Sequence, residues 1–394
     1  MLTIHPFPAR MSPEFALEKL AELAPKGVVL DPMSGSGTVL RQATNLGHRA
    51  IGFDLDPLAV LMGRVWTSPI DDEIARRTSS ELLEVIDGLS AEPISIPWID
   101  SDKETSAFVD FWFAEPQQSS LRRISYALNQ YAVTARPDQL PALDLARLAL
   151  SRIIITKERG ASLARDVSHS RPHKVADTND FDVRQAFERS MEIIRKRLTQ
   201  SPPNCSAEVA IGDARSMASV ADSSIDAVLT SPPYLNAIDY LRGHRLSLVW
   251  LGHRLADLRA IRSGSIGTER QLGINLTSKS HLTVKNSMGD LTNLPKRFLS
   301  MVDRYVVDIL GVVEEIARVL KAGGRAIFVV GDSCLRGVFV RNSEAVVSAA
   351  HQVGLKLASR SERPLPNQSR YLPMTSEQLA KRMRTETVLT FAMP

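Results

Sequence analysis

The first group of residues that could do chemistry is the tetrapeptide Ser231-Pro-Pro-Tyr234, which directly follows the apolar run Ile225–Thr230. Two successive prolines restrict the backbone and hold its carbonyl groups outward. Ser231 and the neighbouring carbonyl oxygens can accept hydrogen bonds from an exocyclic amine, and Tyr234 can stack on the base that carries this amine. Ser-Pro-Pro also occurs at residues 201–203 without an aromatic residue, so the position after a strand, rather than the tripeptide itself, indicates a site.

A glycine turn is the second candidate. It lies in the segment Asp31-Pro-Met-Ser-Gly-Ser-Gly-Thr38, between a short apolar run and a helical pattern. Gly35 and Gly37 allow unusual φ angles and close approach of a ligand, and the N–H groups of the following helix favour an anionic or polar group. A phosphate-binding P-loop would need lysine where this segment has Gly37, and a dinucleotide fingerprint would need a third glycine where it has Leu40. The match to the dinucleotide fingerprint is therefore at best partial. S-adenosylmethionine is the third candidate ligand, with Asp31 placed to meet its ammonium group.

Acidic residues also end the next two strand-like runs. Asp54 stands about 20 residues after the glycine turn, where an acid commonly binds ribose hydroxyls. Asp56 is an alternative for that role, or it caps the helix that begins at Pro57. Asp213 could accept a hydrogen bond from an adenine amino group. Each acid alone is more typical of a helix cap or a loop, but three at consecutive strand ends favour a cofactor site. The predicted cofactor-binding residues are Asp31, Pro32, Gly35, Ser36, Gly37, Thr38, Asp54 and Asp213.

These residues need a sheet that brings strand ends together. Short runs dominated by Val, Ile, Leu and Ala are typical of strands that are buried on both faces. Helical patterns alternate with several of them, which predicts an α/β fold with a doubly wound, mostly parallel, seven-stranded sheet. The predicted strands cover residues 28–31, 49–54, 208–213, 225–230, 324–332, 355–360 and 386–391. The predicted helices beside them cover residues 13–23, 39–46 and 305–320, the last ending at the terminator 321–324.

Two stretches interrupt the alternation. Residues 67–203 contain helical patterns at 74–89, 119–130 and 181–198 but no strand series, which predicts a helical insertion. Residues 1–66 and 204–394 would then form one domain around it. Residues 236–297 are the second stretch.

Two segments, residues 152–174 and 241–270, each carry a net charge of +4, which is also the charge of the whole chain. Such segments are typical either of a solvated face or of phosphate contact.

Composition restricts the class of protein. The 394 residues are 44% hydrophobic and 23% charged, which excludes a disordered or collagen-like chain. No apolar run reaches the length of a membrane span, and the first residues do not form a secretory signal, so a cytoplasmic protein is expected. Cys205 and Cys334 are too few for a disulfide framework or a four-cysteine zinc site, and no metal site is predicted.

The glycine segment and the tetrapeptide, in this order, resemble the S-adenosylmethionine-dependent DNA amino-methyltransferases. The resemblance implies that residues 31–38 bind the cofactor and that Ser231, Pro232, Pro233 and Tyr234 are catalytic. In this family serine at the first position is commonest in cytosine-N4 enzymes and aspartate in adenine-N6 enzymes, so the N4 amine of cytosine is the expected target. Further similarities lie at residues 5–10, ahead of the cofactor loop and expected to help form the methionine pocket, at 111–116 and 149–154 in the insertion, and at 382–391 in the last strand.

The resemblance also implies a mechanism and partners. Methyl transfer would be a direct displacement at the sulfonium without a covalent enzyme intermediate, which suits a chain whose cysteines lie in no nucleophile motif. Duplex DNA would be the substrate, with the target base flipped out, the insertion placed for target recognition and the two basic segments beside phosphates. A restriction or phage-defence system with a separate nuclease is the expected context. Adenine-N6 methylation of DNA, amino methylation of RNA, a non-catalytic nucleic-acid-binding scaffold and a nicotinamide dehydrogenase are the alternatives.

Overall fold

All seven predicted strands lie in one sheet of the structure, a computed structural model that describes residues 4–6, 11–90, 92–156, 159–165, 172–235, 239–266, 278–364 and 385–394. The strands are β1 (Val28–Asp31), β2 (Arg49–Asp54), β3 (Ala164–Arg165), β4 (His173–Lys174), β5 (Glu208–Ile211), β6 (Ile225–Thr230), β7 (Leu320–Val330), β8 (Ser333–Leu335), β9 (Val338–Val340), β10 (Lys356–Pro364) and β11 (Thr385–Ala392). The helices are α1 (Pro13–Ala21), α2 (Thr38–Asn45), α3 (Pro57–Thr67), α4 (Asp72–Gly88), α5 (Pro97–Asp100), α6 (Lys103–Trp112), α7 (Glu115–Thr134), α8 (Leu140–Ile154), α9 (Val183–Gln200), α10 (Leu241–Leu248), α11 (Leu255–Gly264), α12 (Lys279–Ser287), α13 (Lys296–Val319) and α14 (Asn342–Gln352).

The central sheet is mostly parallel and has the strand order β10-β11-β7-β6-β1-β2-β5. Strands β5, β2, β1, β6 and β7 pair in parallel, whereas β11 runs antiparallel to both of its neighbours. The predicted doubly wound α/β fold is therefore confirmed. From β1 the chain adds β2 and β5 on one side and later β6 and β7 on the other. The direction in which strands are added to the sheet therefore reverses between β1 and β6. Open α/β sheets bind ligands in the crevice at the carboxyl ends of such a pair of strands.

Burial explains why β1 and β6 lie at the centre of the sheet. Val29 and Leu30 in β1, like Val228 and Leu229 in β6, are fully buried. Successive side chains of a strand point to opposite faces, so Leu30 and Val228 pack with α13, whereas Val29 and Leu229 pack with α1 and α2. Apolar residues at every position are thus required here, because helices cover both faces of the sheet.

One helix–strand junction differs from the prediction. Helix α13 ends at Val319 and β7 begins at the next residue, so residues 321–324 lie inside the strand rather than in a loop after the helix. The extra residues form a bulge, because β6 residues two positions apart pair with β7 residues five positions apart. Gly323 has a φ of 75°, which glycine adopts without strain. The helix ends before the predicted terminator, at an extended Leu320, and the glycines instead form the bulge at the start of β7.

The helical insertion follows β2 in the chain and precedes β5. It contains α4–α9 and the short hairpin of β3 and β4. Its apolar core is continuous with α3, α10 and α11, since Trp66, Leu148, Leu246 and Leu258 belong to one cluster. The predicted boundary at residues 67–203 stays a prediction. In the described part of the chain, no helix is long and apolar enough to cross a membrane.

Candidate active site at the carboxyl edge of the sheet

Asp31 ends β1 at the point where the winding of the sheet changes. Its Oδ1 accepts hydrogen bonds from the Thr230 hydroxyl at the end of β6, at 2.8 Å, and from the Met33 amide, at 3.3 Å. The carboxyl group is buried, and burial raises the pKa of Asp31 to about 7 despite these two hydrogen bonds. Such a site favours a cationic partner, because a nearby positive charge stabilises the ionised carboxylate.

The glycine turn is tied to β2 by Asp54. One carboxylate oxygen of Asp54 accepts from the Gly35 amide at 2.8 Å, and the other accepts from the Asp56 amide at 2.9 Å. Burial, followed by the charge of Asp56, raises the pKa of Asp54 to about 6. In the same turn the Ser34 hydroxyl is buried and has no hydrogen-bond partner among the residues that the structure describes. The turn thus presents a carboxylate and an unsatisfied hydroxyl, and both groups suit a polar ligand.

Both glycines of the turn have positive φ angles, of 49° and 79°. A Cβ atom on Gly37 would also lie 2.8 Å from the Gly63 Cα atom of α3, so this glycine permits the close approach of α2 and α3. Pro32, Ser36 and Thr38 are buried around the turn, and the hydroxyls of Ser36 and Thr38 lie 3.3 Å apart. The backbone of the turn is therefore fixed by its own sequence together with one neighbouring helix.

Asp213 follows β5 and is paired with Arg215. The guanidinium donates to both carboxylate oxygens of Asp213, at 2.9 and 2.6 Å, and to Asp308 Oδ1 of α13, at 2.5 Å. Burial alone would raise the pKa of Asp213, but the hydrogen bonds from Arg215 hold it below its usual range. Recognition of an adenine amino group would have to use a carboxylate that already holds Arg215, and this role stays a prediction.

Ser231 opens the loop after β6, and it directly follows the threonine that contacts Asp31. Its Oγ donates a hydrogen bond to the Val329 carbonyl of β7 at 3.0 Å. Because the hydroxyl proton is used in this contact, the lone pairs of the oxygen remain to accept a hydrogen bond. Pro232 is buried and Pro233 is half-buried, so the loop is packed as well as restricted in φ.

Tyr234 is held by the C-terminal strands. Its hydroxyl donates to Glu386 Oε1 of β11 at 3.0 Å, and the other oxygen of Glu386 accepts from Arg363 of β10 at 2.5 Å. The Arg363 guanidinium in turn lies 4.8 Å from the ring centre of Phe15 in α1. Burial, and then the charge of Glu386, raises the pKa of Tyr234 far above its usual range, so the phenol stays a hydrogen-bond donor.

Comparisons with known proteins find related sequences among Type II methyltransferases. The chain is 24% identical over 368 residues to Type II methyltransferase M.MvaI of Kocuria varians, covering 85% of this chain and 78% of that protein. It is 24% identical over 391 residues to Type II methyltransferase M.BsoBI of Geobacillus stearothermophilus, covering 83% and 73%. A proposed DNA modification methylase of Thermus thermophilus, solved with S-adenosyl-L-methionine, shares 18% identity over 46% of this chain and 54% of that chain, at a TM-score of 0.26. No family model matches the chain.

The predicted site residues all lie at the carboxyl ends of β1, β2, β5 and β6. Direct hydrogen bonds join Asp31 to the end of β6 and the glycine turn to Asp54. Asp213 belongs to a separate set of contacts around Arg215. The structure thus brings the predicted residues to one edge of the sheet, and their individual roles stay predictions.

Sequence reasoning missed the residues that anchor the site from a distance. Glu386 lies 152 positions after Tyr234 in the chain, and Val329 lies 98 positions after Ser231. A third anchor is the His244 Nδ1 contact with Asp56 Oδ2, at 2.5 Å and 188 positions apart. Asp56 also caps α3, which is the alternative role that the sequence offers for it. No local pattern marks these partners, because each contact depends on how distant elements pack.

The N-terminal segment is described only at residues 4–6, and residues 7–10 lie outside the described part of the chain. His5 Nε2 lies 3.0 Å from the Ser151 hydroxyl of α8. Both residues line a small cavity together with Leu58 of α3 and His244 of α10. The segment therefore packs between α8 of the insertion and helices α3 and α10, and its predicted part in a methionine pocket stays a prediction.

The two basic segments are less available to phosphate than the sequence indicates. Arg152 is half-buried and donates to the Ile4 carbonyl, and burial lowers its pKa to about 10. Arg245 is half-buried with its guanidinium 5.1 Å from the ring centre of Phe108. These two guanidinium groups are engaged in the packing of the helical layer, and phosphate contact by the two segments stays a prediction. Several others form ion pairs, namely Arg159–Asp180, Arg259–Glu104 and Arg262–Asp239. Lys157, Arg171 and Arg270 lie outside the described residues.

Proposed function

We propose that this chain is a site-specific DNA methyltransferase that uses S-adenosylmethionine to methylate the exocyclic N4 amine of cytosine. The observation that carries the proposal is the Ser231 hydroxyl, which donates to the Val329 carbonyl and so is left as an acceptor, directly after the Thr230 that contacts the buried Asp31. The similarity to Type II methyltransferases of Kocuria varians and Geobacillus stearothermophilus supports methylation of DNA within restriction and modification. Serine, rather than aspartate, at the start of the tetrapeptide supports cytosine as the target base.

The residues around β1 and β2 fit S-adenosylmethionine. The buried carboxylate of Asp31 suits an ammonium group, and the unpartnered hydroxyl of Ser34 can bond a polar group of the ligand. Asp54, at the end of β2, stands where open α/β sheets bind ribose hydroxyls. When bound, this cofactor supplies an electrophilic methyl group on a sulfonium. The raised pKa of Asp31 supports the fit, because a cation would offset the cost of burying its charge.

The loop after β6 would position the amine that receives the methyl group. A hydrogen bond from the amine to Ser231 Oγ, and others to the loop carbonyls, would orient the nitrogen lone pair and raise its electron density. Stacking on Tyr234, whose hydroxyl is fixed by Glu386, would hold the plane of the base. No strong base is needed, because the proton can pass to solvent from the positively charged amine product. These residues therefore act by orientation rather than by covalent catalysis.

The central experiment is methylation of plasmid DNA, followed by digestion to nucleosides and mass measurement. N4-methylcytosine is the expected product, and mapping at base resolution then yields the recognition sequence. If N6-methyladenine is the only methylated nucleoside, adenine rather than cytosine is the target base. Transfer to RNA but not to DNA, or no methylated nucleoside in either, would overturn the proposal in favour of an RNA enzyme or a non-catalytic scaffold.

Ser231→Ala tests the residue that carries the proposal. We expect kcat to fall roughly 10- to 100-fold, the effect of one hydrogen bond to a group that gains charge, about 1.5–3 kcal/mol. The affinity for S-adenosylmethionine should stay unchanged, because Ser231 bonds Val329 rather than the glycine turn. The matched control is Ser201→Ala in the second Ser-Pro-Pro, which should keep the wild-type rate. Equal rates for both variants would show that Ser231 does not orient the amine.

A further inference from the structure

The hairpin of β8 and β9 extends the same edge of the sheet as the proposed site. It follows directly after β7, the strand whose Val329 carbonyl holds Ser231. At its base the Ser333 hydroxyl donates to the Leu235 carbonyl at 2.8 Å, one residue beyond the tetrapeptide. Asn342 donates to the same hydroxyl at 2.8 Å and to the Gly331 carbonyl at 2.9 Å. The hairpin is therefore fastened to the loop that carries Ser231.

The two faces of this hairpin differ in burial. Leu335 and Val340 are buried against the sheet domain. On the other face Cys334 and Phe339 are paired across the two strands, and both are exposed. Phe339 keeps 53% of its surface accessible although it stands on a paired strand, where its position is fixed. The structure thus presents to solvent an aromatic side chain on a paired strand, in a hairpin whose base is attached to the loop of the proposed active site.

The tip and the end of the hairpin are basic. Arg336 and Gly337 form the two-residue turn, with φ angles of 49° and 87°, which is the geometry of a tight hairpin turn. The Arg336 guanidinium lies 5.7 Å from the ring centre of Phe298, which restrains it. Arg341 follows β9 and is also exposed, and neither arginine forms an ion pair with any residue that the structure describes.

Acidic residues near the hairpin have partners of their own. Asp332, just before β8, accepts from the Ser343 amide at 2.9 Å, and Glu344, three residues after Arg341, accepts from Arg360 at 2.5 Å. Asp290 is another. A Cβ atom on Gly289 would lie 3.6 Å from the Phe339 carbonyl oxygen, so the next residue, Asp290, lies near β9. Its Oδ1 accepts from the amide and the hydroxyl of Thr292, at 3.0 and 2.6 Å. The Asp290 carboxylate is therefore hydrogen-bonded within its own turn. Arg336 and Arg341 remain free to pair with the negative charge of an external partner.

We propose that the β8–β9 hairpin contacts duplex DNA, with Arg336 and Arg341 on backbone phosphates and Phe339 against the base stack beside the extruded target. Exposed arginines match the phosphate charge, and an apolar side chain on a rigid support is how proteins press on base steps. Duplex DNA offers both phosphates and base steps, and the attachment of the hairpin to Leu235 places these side chains next to the loop that carries Ser231. The identity of this partner rests on the proposed function.

Cys334 makes the contact measurable without disturbing the arginines or Phe339. In a Cys205→Ser background it is the remaining cysteine of the chain. We expect duplex DNA to slow alkylation of Cys334 by N-ethylmaleimide in proportion to the fraction of protein bound. Alkylation at the same rate with saturating duplex DNA would overturn the proposal. Protection by duplex RNA but not by duplex DNA would overturn DNA as the partner.

Substitutions test the two kinds of contact separately. Arg336→Gln should weaken binding of duplex DNA and reduce the slope of log affinity against log salt by about 0.9, the value for one phosphate contact. Phe339→Ala should weaken binding by roughly 5- to 100-fold, the range found for base stacking, with little change in the salt slope. The control is Arg325→Gln, an exposed arginine in the middle of β7, which should bind as the wild type does.

Parallel measurements separate this inference from the proposed function. Binding of S-adenosylmethionine and methyl transfer by the wild type are measured on the same preparations. If the wild type transfers no methyl group while DNA still protects Cys334, the surface stands and the proposed function fails. If the wild type methylates DNA while Arg336→Gln and Phe339→Ala keep wild-type DNA affinity, the inference fails and the function stands.

Discussion

The glycine turn after β1 and the tetrapeptide loop after β6 lie side by side, yet the chain holds them in different ways. The turn depends on its own backbone, with two positive φ angles and a contact to Asp54, 19 positions after Gly35. The tetrapeptide loop depends on side-chain contacts with Val329 and Glu386, which lie 98 and 152 positions further along the chain. One loop is shaped locally, and the other is shaped by packing.

This difference predicts how each loop responds to change. Altering the glycine turn should disturb the backbone and with it the contact between α2 and α3, so stability and cofactor binding should change together. Altering the anchors of the tetrapeptide loop should shift only the orientation of Ser231 and Tyr234. Turnover should then fall while the affinity for the cofactor stays the same.

The largest effect is expected from Gly37→Ala. The left-handed φ of 79° costs about 1–2 kcal/mol for a residue with a Cβ atom, and the approach of 2.8 Å to Gly63 adds roughly 1–3 kcal/mol of overpacking. We expect the free energy of unfolding in urea to fall by roughly 2–5 kcal/mol, the sum of these two costs, and cofactor binding to be lost.

Gly47→Ala separates the two contributions. Gly47 has nearly the same φ, 77°, but no atom lies within 4 Å of its Cβ position. This variant should lose only about 1–2 kcal/mol and keep cofactor binding. Equal losses of stability in both variants would show that the close contact with α3 does not matter, and the contrast between the two loops would then need another cause.

An intermediate effect is expected from pH. Below a pH of about 7 Asp31 takes up a proton and can no longer pair with a cation, so affinity for S-adenosylmethionine should fall by up to about tenfold per pH unit. Above about 7 the affinity should level off. In the unliganded protein the folded state holds this proton more tightly than the unfolded chain does. Its contribution to the free energy of unfolding should therefore fall as pH rises from about 4 to about 7.

Calorimetric titrations at several pH values check this, with Asp31→Asn as the control. That variant should bind weakly with little dependence on pH near 7. A wild-type dissociation constant that is the same at pH 6 and pH 8 would remove Asp31 from the cofactor site. The tetrapeptide loop should add no pH dependence of its own through Tyr234, because the phenol stays protonated throughout this range.

The smallest effect is expected from Tyr234→Phe, which keeps the ring and removes its contact with Glu386. A hydrogen bond to a carboxylate contributes about 1.5–3 kcal/mol, but Arg363 still holds Glu386 and the ring keeps its packing, so only part of this should reach kcat, which should fall roughly 2- to 10-fold. The affinity for S-adenosylmethionine should not change, which a binding titration would show. Tyr126→Phe in α7 is the control. A loss of cofactor affinity as large as the loss of kcat would contradict the separate anchoring of the two loops.

Most of the sheet could be predicted from the sequence, because buried parallel strands require continuous apolar runs. Helix α13 was harder, since it begins at Lys296 rather than at residue 305 and ends in a strand bulge rather than in a loop. The basic segments were harder still. Arg152 and Arg245 lie in segments whose composition favours contact with phosphate. Whether each arginine faces solvent depends on which helices pack over its alkyl chain.

By itself, the sequence determined the seven strands of the central sheet, the glycine turn and the acids at strand ends, because these depend on residue type and on neighbours close in the chain. Only the tertiary structure decided that Glu386 holds Tyr234, that Arg215 occupies Asp213 and that His244 meets Asp56. It also placed the β8–β9 hairpin beside Ser231. The physical reason is that a hydrogen bond between distant segments forms only after the sheet order has brought their strands together.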